Sequence, residues 1–329
     1  MTESKPPAYR VEDRSVLLPF YTRYIVEPVL AHIPATVSPN LITHLGHVLC
    51  FAGAAVLLLE WPTRGWPFAV SAALVWAYVF CDNADGAHAR RTNQCSALGE
   101  FLDHGLDLLN VAYMGYVTAM AIGASPLVWV LAGVGIPAAA AFVYWEQAEL
   151  GVFRLGLLNQ IESSVALTTA LLVSAIWGTD IYSKPIVLGL TGGQMVAIWT
   201  LSTVGFGIAH GIYRVGRVGL AKLAPAAALV AFNAALFASY WTGALTAIAV
   251  VVVGTLANVA FGLRMLSFRL QHQKPRADLL VCASAAALMI AVRSNIDARW
   301  ALALTVAGGV VFTLQGALAA RTSLRALRA

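Results

Sequence analysis

Residues 81–107 read CDNADGAHARRTNQCSALGEFLDHGLD and hold five of the chain's 16 acidic residues: Asp82, Asp85, Glu100, Asp103 and Asp107. They follow directly on the apolar run WPFAVSAALVWAYVF. On a helix, Asp82, Asp85 and Ala89 share one face, and Gly99, Asp103 and Asp107, spaced by four, share another. The turn TNQCS would make the two helices antiparallel neighbours, so four carboxylates converge between them. Carboxylates at close quarters repel, and near a membrane the cost rises. Divalent cations resolve this. Oxygen ligands without His or Cys suit Mg²⁺, Mn²⁺ or Ca²⁺ rather than Zn²⁺. Four carboxylates suggest two ions, about 3.5–4 Å apart, of the kind that clamps a phosphoryl group during displacement. Asp82, Asp85 and Asp103 are the expected ligands, and Asp107 is either a ligand or a general base. Gly86, Ala89 and Gly99 leave room for a bulky group such as a nucleotide, and Arg90 can neutralise phosphate oxygens at the rim. Taken singly, small residues in spans serve helix packing, Arg90 and Arg91 read as topological charges, and one intramembrane acid fits an ion path. Five acids in two facing half-turns are hard to make structural.

The elements that would position these residues are membrane helices. The chain has 329 residues, of which 59% are hydrophobic and 11% charged; its mean hydropathy is +0.75. A soluble domain has about 25% charged residues. Ten spans are expected, at about 41–59, 66–89, 97–122, 126–149, 162–178, 191–213, 222–241, 243–264, 277–293 and 299–319, each close to the length needed to cross a bilayer. With the N-terminus in the cytoplasm, 17 of the 21 Lys and Arg fall on the cytoplasmic side, and only Arg64, Lys184, Arg293 and Arg299 on the other. That asymmetry follows the positive-inside rule and puts the acidic stretch at the cytoplasmic face. Ahead of the first span, VEDRSVLLPFYTRYIVEPVLAHI mixes charge with apolar residues and predicts an amphipathic interfacial helix. The N-terminus lacks the apolar core and cleavage site of a signal peptide. The four cysteines are scattered, which argues against a zinc site or a disulfide framework. The expectation is an all-α polytopic membrane protein of about ten helices, divided into an N-terminal cytoplasmic and interfacial segment (1–40), a catalytic transmembrane core (41–215) and additional C-terminal helices (216–329).

The acidic stretch resembles the signature of the CDP-alcohol phosphotransferase family, D-x-x-D-G-x-x-A-R, eight residues, then G-x-x-x-D-x-x-x-D. Asp82, Asp85, Gly86, Ala89, Arg90, Gly99, Asp103 and Asp107 fill every fixed position. The choline and ethanolamine phosphotransferase branch is closer still. It carries A-R-R-T-N, L-G-E and D-H-G-L-D, which occur here at 89–93, 98–100 and 103–107. Tyr9, Asp13, PNLIT at 39–43 and YWEQAELGVFRLGLLNQIE at 144–162 also resemble that branch. Two pairs depart from it. Ala87 and His88 stand in place of Lys-Gln, and Glu146 and Gln147 in place of Gln-Thr, which leaves the substrate open.

The resemblance implies transfer of a phosphocholine or phosphoethanolamine type of headgroup from a CDP-alcohol to the hydroxyl of diacylglycerol, with release of CMP and use of two Mg²⁺ or Mn²⁺ ions. It also implies that His104, beside Asp103, takes the hydroxyl proton with Glu162 orienting it or sharing its proton; on residue type alone, a lone His is more often a packing residue, and Glu162 near the start of a span reads equally as a capping acid. Asn40 and Thr43 are candidates to contact cytosine or ribose, although P-N-x-x-T also reads as a turn and helix cap. A quaternary ammonium headgroup favours an aromatic cage, for which Tyr144 and Trp145 are candidates, an interfacial aromatic belt being the alternative. A homodimer is suggested by the resemblance alone.

Two other activities compete. In one, CDP-diacylglycerol is the donor and a small polyol the acceptor; DHGLD, ARRTN and ten spans weigh against it. In the other, the acids form the ion path of a cation transporter. That needs acids along the midplane of several spans, whereas here they gather at one cytoplasmic mouth.

Overall fold

The computed structural model describes residues 10–156, 160–294 and 297–328; their regular elements are helices apart from two short two-stranded sheets, joined by turns and short loops. Strand β1 (Arg10–Glu12) leads to helix α1, which runs over 18–30 and contains a π-helical turn at Thr22–Val26. This is where the amphipathic helix is expected. Tyr21, Val26 and Leu30 turn inward and are buried, while Phe20, Tyr24, Ile25 and Val29 are exposed together with Arg23 and Glu27. An outward mixture of large apolar and charged side chains suits a helix lying in a lipid interface.

Local sequence explains the next boundaries. Helix α2 (Pro39–Glu60) follows an extended Ser38, and Pro39 takes a first-turn position where its missing N–H costs nothing. Helix α3 (Trp66–Thr92) stops at Asn93, whose φ of 56° lies in the left-handed region that Asn tolerates. The Gln94 N–H donates to the Ala89 carbonyl at 2.9 Å and closes the cap. Helix α4 (Ala97–Ala121) opens at Ser96, whose hydroxyl accepts the Gly99 N–H at 3.0 Å. The TNQCS turn is therefore a C-cap followed by an N-cap, and it reverses the chain as the spacing predicts.

The remaining elements are α5 (Pro126–Leu150), β2 (Val152–Arg154), α6 (Gln160–Trp177), β3 (Pro185–Val187), β4 (Leu190–Thr191), α7 (Gly192–Gly216), α8 (Leu220–Trp241), α9 (Ala247–Leu270), α10 (Leu279–Arg293) and α11 (Ala298–Arg328). Strand β1 pairs with β2, and β3 with β4. Each expected span falls on one of α2–α11. Among the described residues, 7 helices (α2, α3 and α5–α9) are long and apolar enough to cross a membrane. The count of ten is not reached by that criterion. Helix α4 carries Glu100, Asp103 and Asp107. Helix α10 has 15 residues, about 22 Å at 1.5 Å per residue, short of a hydrocarbon core of about 30 Å. Helix α11 ends among Arg321, Arg325 and Arg328.

Two compact units emerge, Met1–Ala124 with Phe153–Met195, and Ser125–Val152 with Val196–Ala329. In the first, α2, α3, α4 and α6 enclose a core that includes the fully buried Leu57, Phe68, Val75 and Leu108. A Cβ on Gly46 would lie 2.8 Å from the Cβ of Cys81, so α2 approaches α3 as closely as it does only because residue 46 has no side chain. In the second unit, Asn233 and Asn258 exchange amide hydrogen bonds at 3.1 and 3.0 Å. Glu146 is gripped by the Arg214 guanidinium at 2.7 and 2.6 Å, and Lys222 reaches Glu149 at 3.0 Å.

Candidate active site

The carboxylates of Asp82, Asp103 and Asp107 come together, with one oxygen of each within 4.8 Å of the others. Asp82 projects from the last turns of α3, and the other two from the first turns of α4, so the Asn93–Ser96 reversal is what brings them face to face. Asp85, one turn beyond Asp82, accepts the Thr43 hydroxyl at 2.5 Å. Among the described residues no Lys or Arg forms an ion pair with these four acids. Three carboxylates at this separation without a basic partner are a costly arrangement for a protein by itself and a fitting donor set for a hard divalent cation.

Polar side chains hold the cluster in place. Gln160, at the start of α6, donates to Asp82 Oδ2 at 2.7 Å and accepts from Asn83 at 2.9 Å. Tyr78 Oη stands 3.5 Å from Asp107 Oδ1. His47 donates to Asn110 at 2.8 Å, and the Asn110 amide reaches Asp107 at 3.4 Å. Such outer partners orient metal-binding carboxylates. Sequence spacing singled out none of Gln160, Tyr78, Asn83 and Asn110, because each sits outside the signature or between its fixed positions.

The residues expected to meet the nucleotide border the same cluster. Asn40 and Thr43 lie in the first turns of α2. Asn40 Oδ1 is 3.3 Å from where a Cβ on Gly99 would be, and Thr43 holds Asp85. A Cβ on Gly86 would be 3.3 Å from Arg90 Nη1, so the guanidinium folds back over the glycine. Ala89 is the other small residue of that face.

His104 is largely buried and stacks on Phe153, with ring centroids 5.3 Å apart and planes at 11°. Its Nε2 is 4.0 Å from Asp103 Oδ2, and its Nδ1 is 3.9 Å from Oε1 of Glu100, the one acid of the stretch that the signature leaves without a role. Both separations exceed a hydrogen bond. Glu162 Oε1 accepts from the Ser15 hydroxyl at 2.8 Å and from the N–H groups of Val16 and Leu17 at 2.8 and 2.9 Å. His88 is fully buried and structural, donating to the Val37 carbonyl at 2.9 Å and accepting from Arg91 at 3.1 Å. Arg91 also donates to the carbonyls of Leu30 and Ile33, so it anchors the N-terminal segment. Tyr144 and Trp145 are buried in the second unit, where the Trp145 ring sets edge-on to Phe142 at 5.6 Å.

The family model described as CDP-alcohol phosphatidyltransferase matches residues 36–204, half of the chain. The chain belongs to this family. As a CDP-alcohol phosphatidyltransferase family member it is similar to cholinephosphotransferase 1 of Danio rerio, 29% identical over 212 residues that cover 58% of this chain and 54% of the relative. It is similar to cholinephosphotransferase 1 of Bos taurus, 32% identical over 202 residues, covering 56% of this chain and 49% of the relative. With cholinephosphotransferase 1 of Homo sapiens it shares 32% identity over 206 residues, again 56% and 49% of the two chains. The chain thus spans about half the length of these curated relatives. The family resemblance carried by the acidic signature is met, and the matched region contains α3 and α4, which supply the cluster, and α2 and α6, which bring Thr43 and Gln160 to it.

Proposed function

We propose that this protein transfers a phosphocholine or phosphoethanolamine type of headgroup from a CDP-alcohol to the hydroxyl of diacylglycerol, releasing CMP. The convergence of Asp82, Asp103 and Asp107 within 4.8 Å, inside a signature of this family, carries the reading. Asp82, Asp85, Asp103 and Asp107 would hold two Mg²⁺ or Mn²⁺ ions. Bound there, the ions supply charge for the donor diphosphate and for the leaving phosphate of CMP. The chain's own residues do the rest. Asn40 and Thr43 bind the nucleoside, Gly86, Ala89 and Gly99 admit it, and Arg90 pairs with phosphate oxygens. His104 receives the proton of the lipid hydroxyl, with Glu162 as its partner and Asp107 as the alternative base. Tyr144 and Trp145 have the chemistry of headgroup contacts, while their burial favours packing.

The family match over 36–204 supports a catalytic core at 41–215, with 1–40 as an N-terminal cytoplasmic and interfacial segment and 216–329 as additional C-terminal helices; a homodimer is implied by the resemblance alone. A substrate panel on the purified protein decides the reaction. CDP-choline or CDP-ethanolamine with diacylglycerol is expected to yield CMP and phospholipid. Turnover only with CDP-diacylglycerol and a polyol would replace this reading with phosphatidyl transfer.

We place the cluster at the cytoplasmic face, on the strength of the basic asymmetry. Cys95, in the α3–α4 turn, is exposed, as is Cys282, whereas Cys50 and Cys81 are buried. In a Cys282→Ser variant, an impermeant maleimide is expected to label Cys95 from the cytoplasmic side only. Labelling of intact cells from outside would reverse the topology.

Gln160 has a separable role. Its amide fixes the direction of Asp82, so Gln160→Ala is expected to raise the Mg²⁺ concentration for half-maximal activity about 10–100-fold. An unchanged Mg²⁺ requirement would show that Asp82 is held in place without it.

A further inference from the structure

We infer that the N-terminal segment 10–17 is part of the active-site frame, with Ser15 as the positioning residue for Glu162. This rests on the reading of Glu162 as partner of the base. Ser15 and Glu162 are 147 residues apart in sequence, yet the Ser15 hydroxyl donates to Glu162 Oε1 at 2.8 Å. The same hydroxyl accepts the Leu18 N–H at 2.9 Å, which fixes its rotamer and the direction of its proton. The N–H groups of Val16 and Leu17, at the entrance to α1, complete three donors on one carboxylate oxygen. A carboxylate held in this way loses its rotational freedom, and charge-assisted bonds from backbone N–H groups at a helix start are among the stronger ones.

The longer stretch from Glu12 to Val37, with α1 inside it, is tied down at both ends. Upstream, the Ser15 N–H donates to Asp13 Oδ1 at 2.8 Å. Arg154 Nε donates to Glu12 at 2.8 Å, and the Leu155 N–H to the Glu12 carbonyl at 2.9 Å. Phe153, next to these two partners, is the residue on which the His104 ring stacks. Downstream, Arg91, His88 and Gln94 hold the carbonyls of Ile33, Val37 and Ala35. One N-terminal strap therefore braces both members of the proposed base pair: Glu162 through Ser15, and His104 through the Glu12–Arg154 clamp beside Phe153.

The experiment compares Ser15→Ala, Ser15→Thr, Glu162→Ala and the double variant Ser15→Ala/Glu162→Ala in the full-length protein, with kcat, donor KM and melting temperature measured for each. Ser15→Ala loses the bond to Glu162 and the one from Leu18; kcat is expected to fall about tenfold with donor KM unchanged, and the melting temperature to drop only by the worth of one helix-start contact. Ser15→Thr, which keeps the hydroxyl, should restore turnover. Ser15→Ala should add no loss in the Glu162→Ala background, because the group it positions is gone. Full kcat in Ser15→Ala beside an impaired Glu162→Ala overturns the inference alone, as do losses that multiply in the double variant. Full turnover in Glu162→Ala overturns instead the reading of Glu162 on which the inference rests.

Discussion

Asp82→Ala, Asp85→Ala and Asp103→Ala are each expected to abolish turnover while the protein still inserts and folds. The geometry gives this expectation a second readout. Carboxylate oxygens of Asp82, Asp103 and Asp107 within 4.8 Å of one another, with no basic partner among the described residues, repel in the metal-free protein. Removing Asp82 or Asp103 relieves that repulsion, so the metal-free variant should melt no lower than the parent. What it should lose is stabilisation by the ion. A ligand that binds only the folded state at a hundredfold excess over its Kd stabilises by about 2.7 kcal/mol, and the parent should show a rise in melting temperature with Mg²⁺ or Mn²⁺ that the variants lack. Asp85 differs in geometry, being held by Thr43 at 2.5 Å, so Thr43→Val should weaken the same Mg²⁺ response in part. Full turnover in excess chelator would sink the metal reading. A parent protein whose melting temperature ignores Mg²⁺ would do the same.

His104→Ala is expected to cut kcat about 10²–10⁴-fold, the usual worth of a general base, with CDP-alcohol affinity little changed. In the proposed reaction the acceptor is the hydroxyl of diacylglycerol, a poor nucleophile near neutral pH, so its proton has to leave at or near the transition state. His104 is rotated about 100° along α4 from Asp103, which turns it away from the ligand direction yet keeps it beside the cluster. The Phe153 ring, parallel to the imidazole at 5.3 Å, limits its tilt. Phe153→Ala should therefore lower kcat in the same direction but by less. Glu162→Gln should also reduce the rate. The informative contrary result is a His104→Ala protein that binds nucleotide poorly but turns over normally at saturating donor. That outcome would make His104 a donor contact and move the role of base to Asp107.

Much of this molecule is determined by local pattern, and the reasons are physical. Long apolar runs have to become helices in lipid, because unpaired backbone groups are intolerable there, and each of the ten runs does coincide with a helix. Asn93 and Ser96 encode the reversal between α3 and α4, since one tolerates a left-handed backbone and the other caps a helix start. Residues three and four apart then meet across that turn, so the acidic cluster and the family are legible without coordinates.

The tertiary structure decides what spacing within one segment cannot encode. It turns Asp85 to Thr43, brings Gln160 to Asp82 and Ser15 to Glu162, and sets His88 and Arg91 to anchoring the N-terminal strap. It also divides the chain into two units that interleave in sequence, α5 belonging with α8–α11 and α6 with α2–α4. Each of these pairings joins residues tens of positions apart, and their partners are ordinary Ser, Gln, Thr and backbone groups. Such residues carry no signature of their own, because a hydrogen bond is specified by where the chain places its two ends.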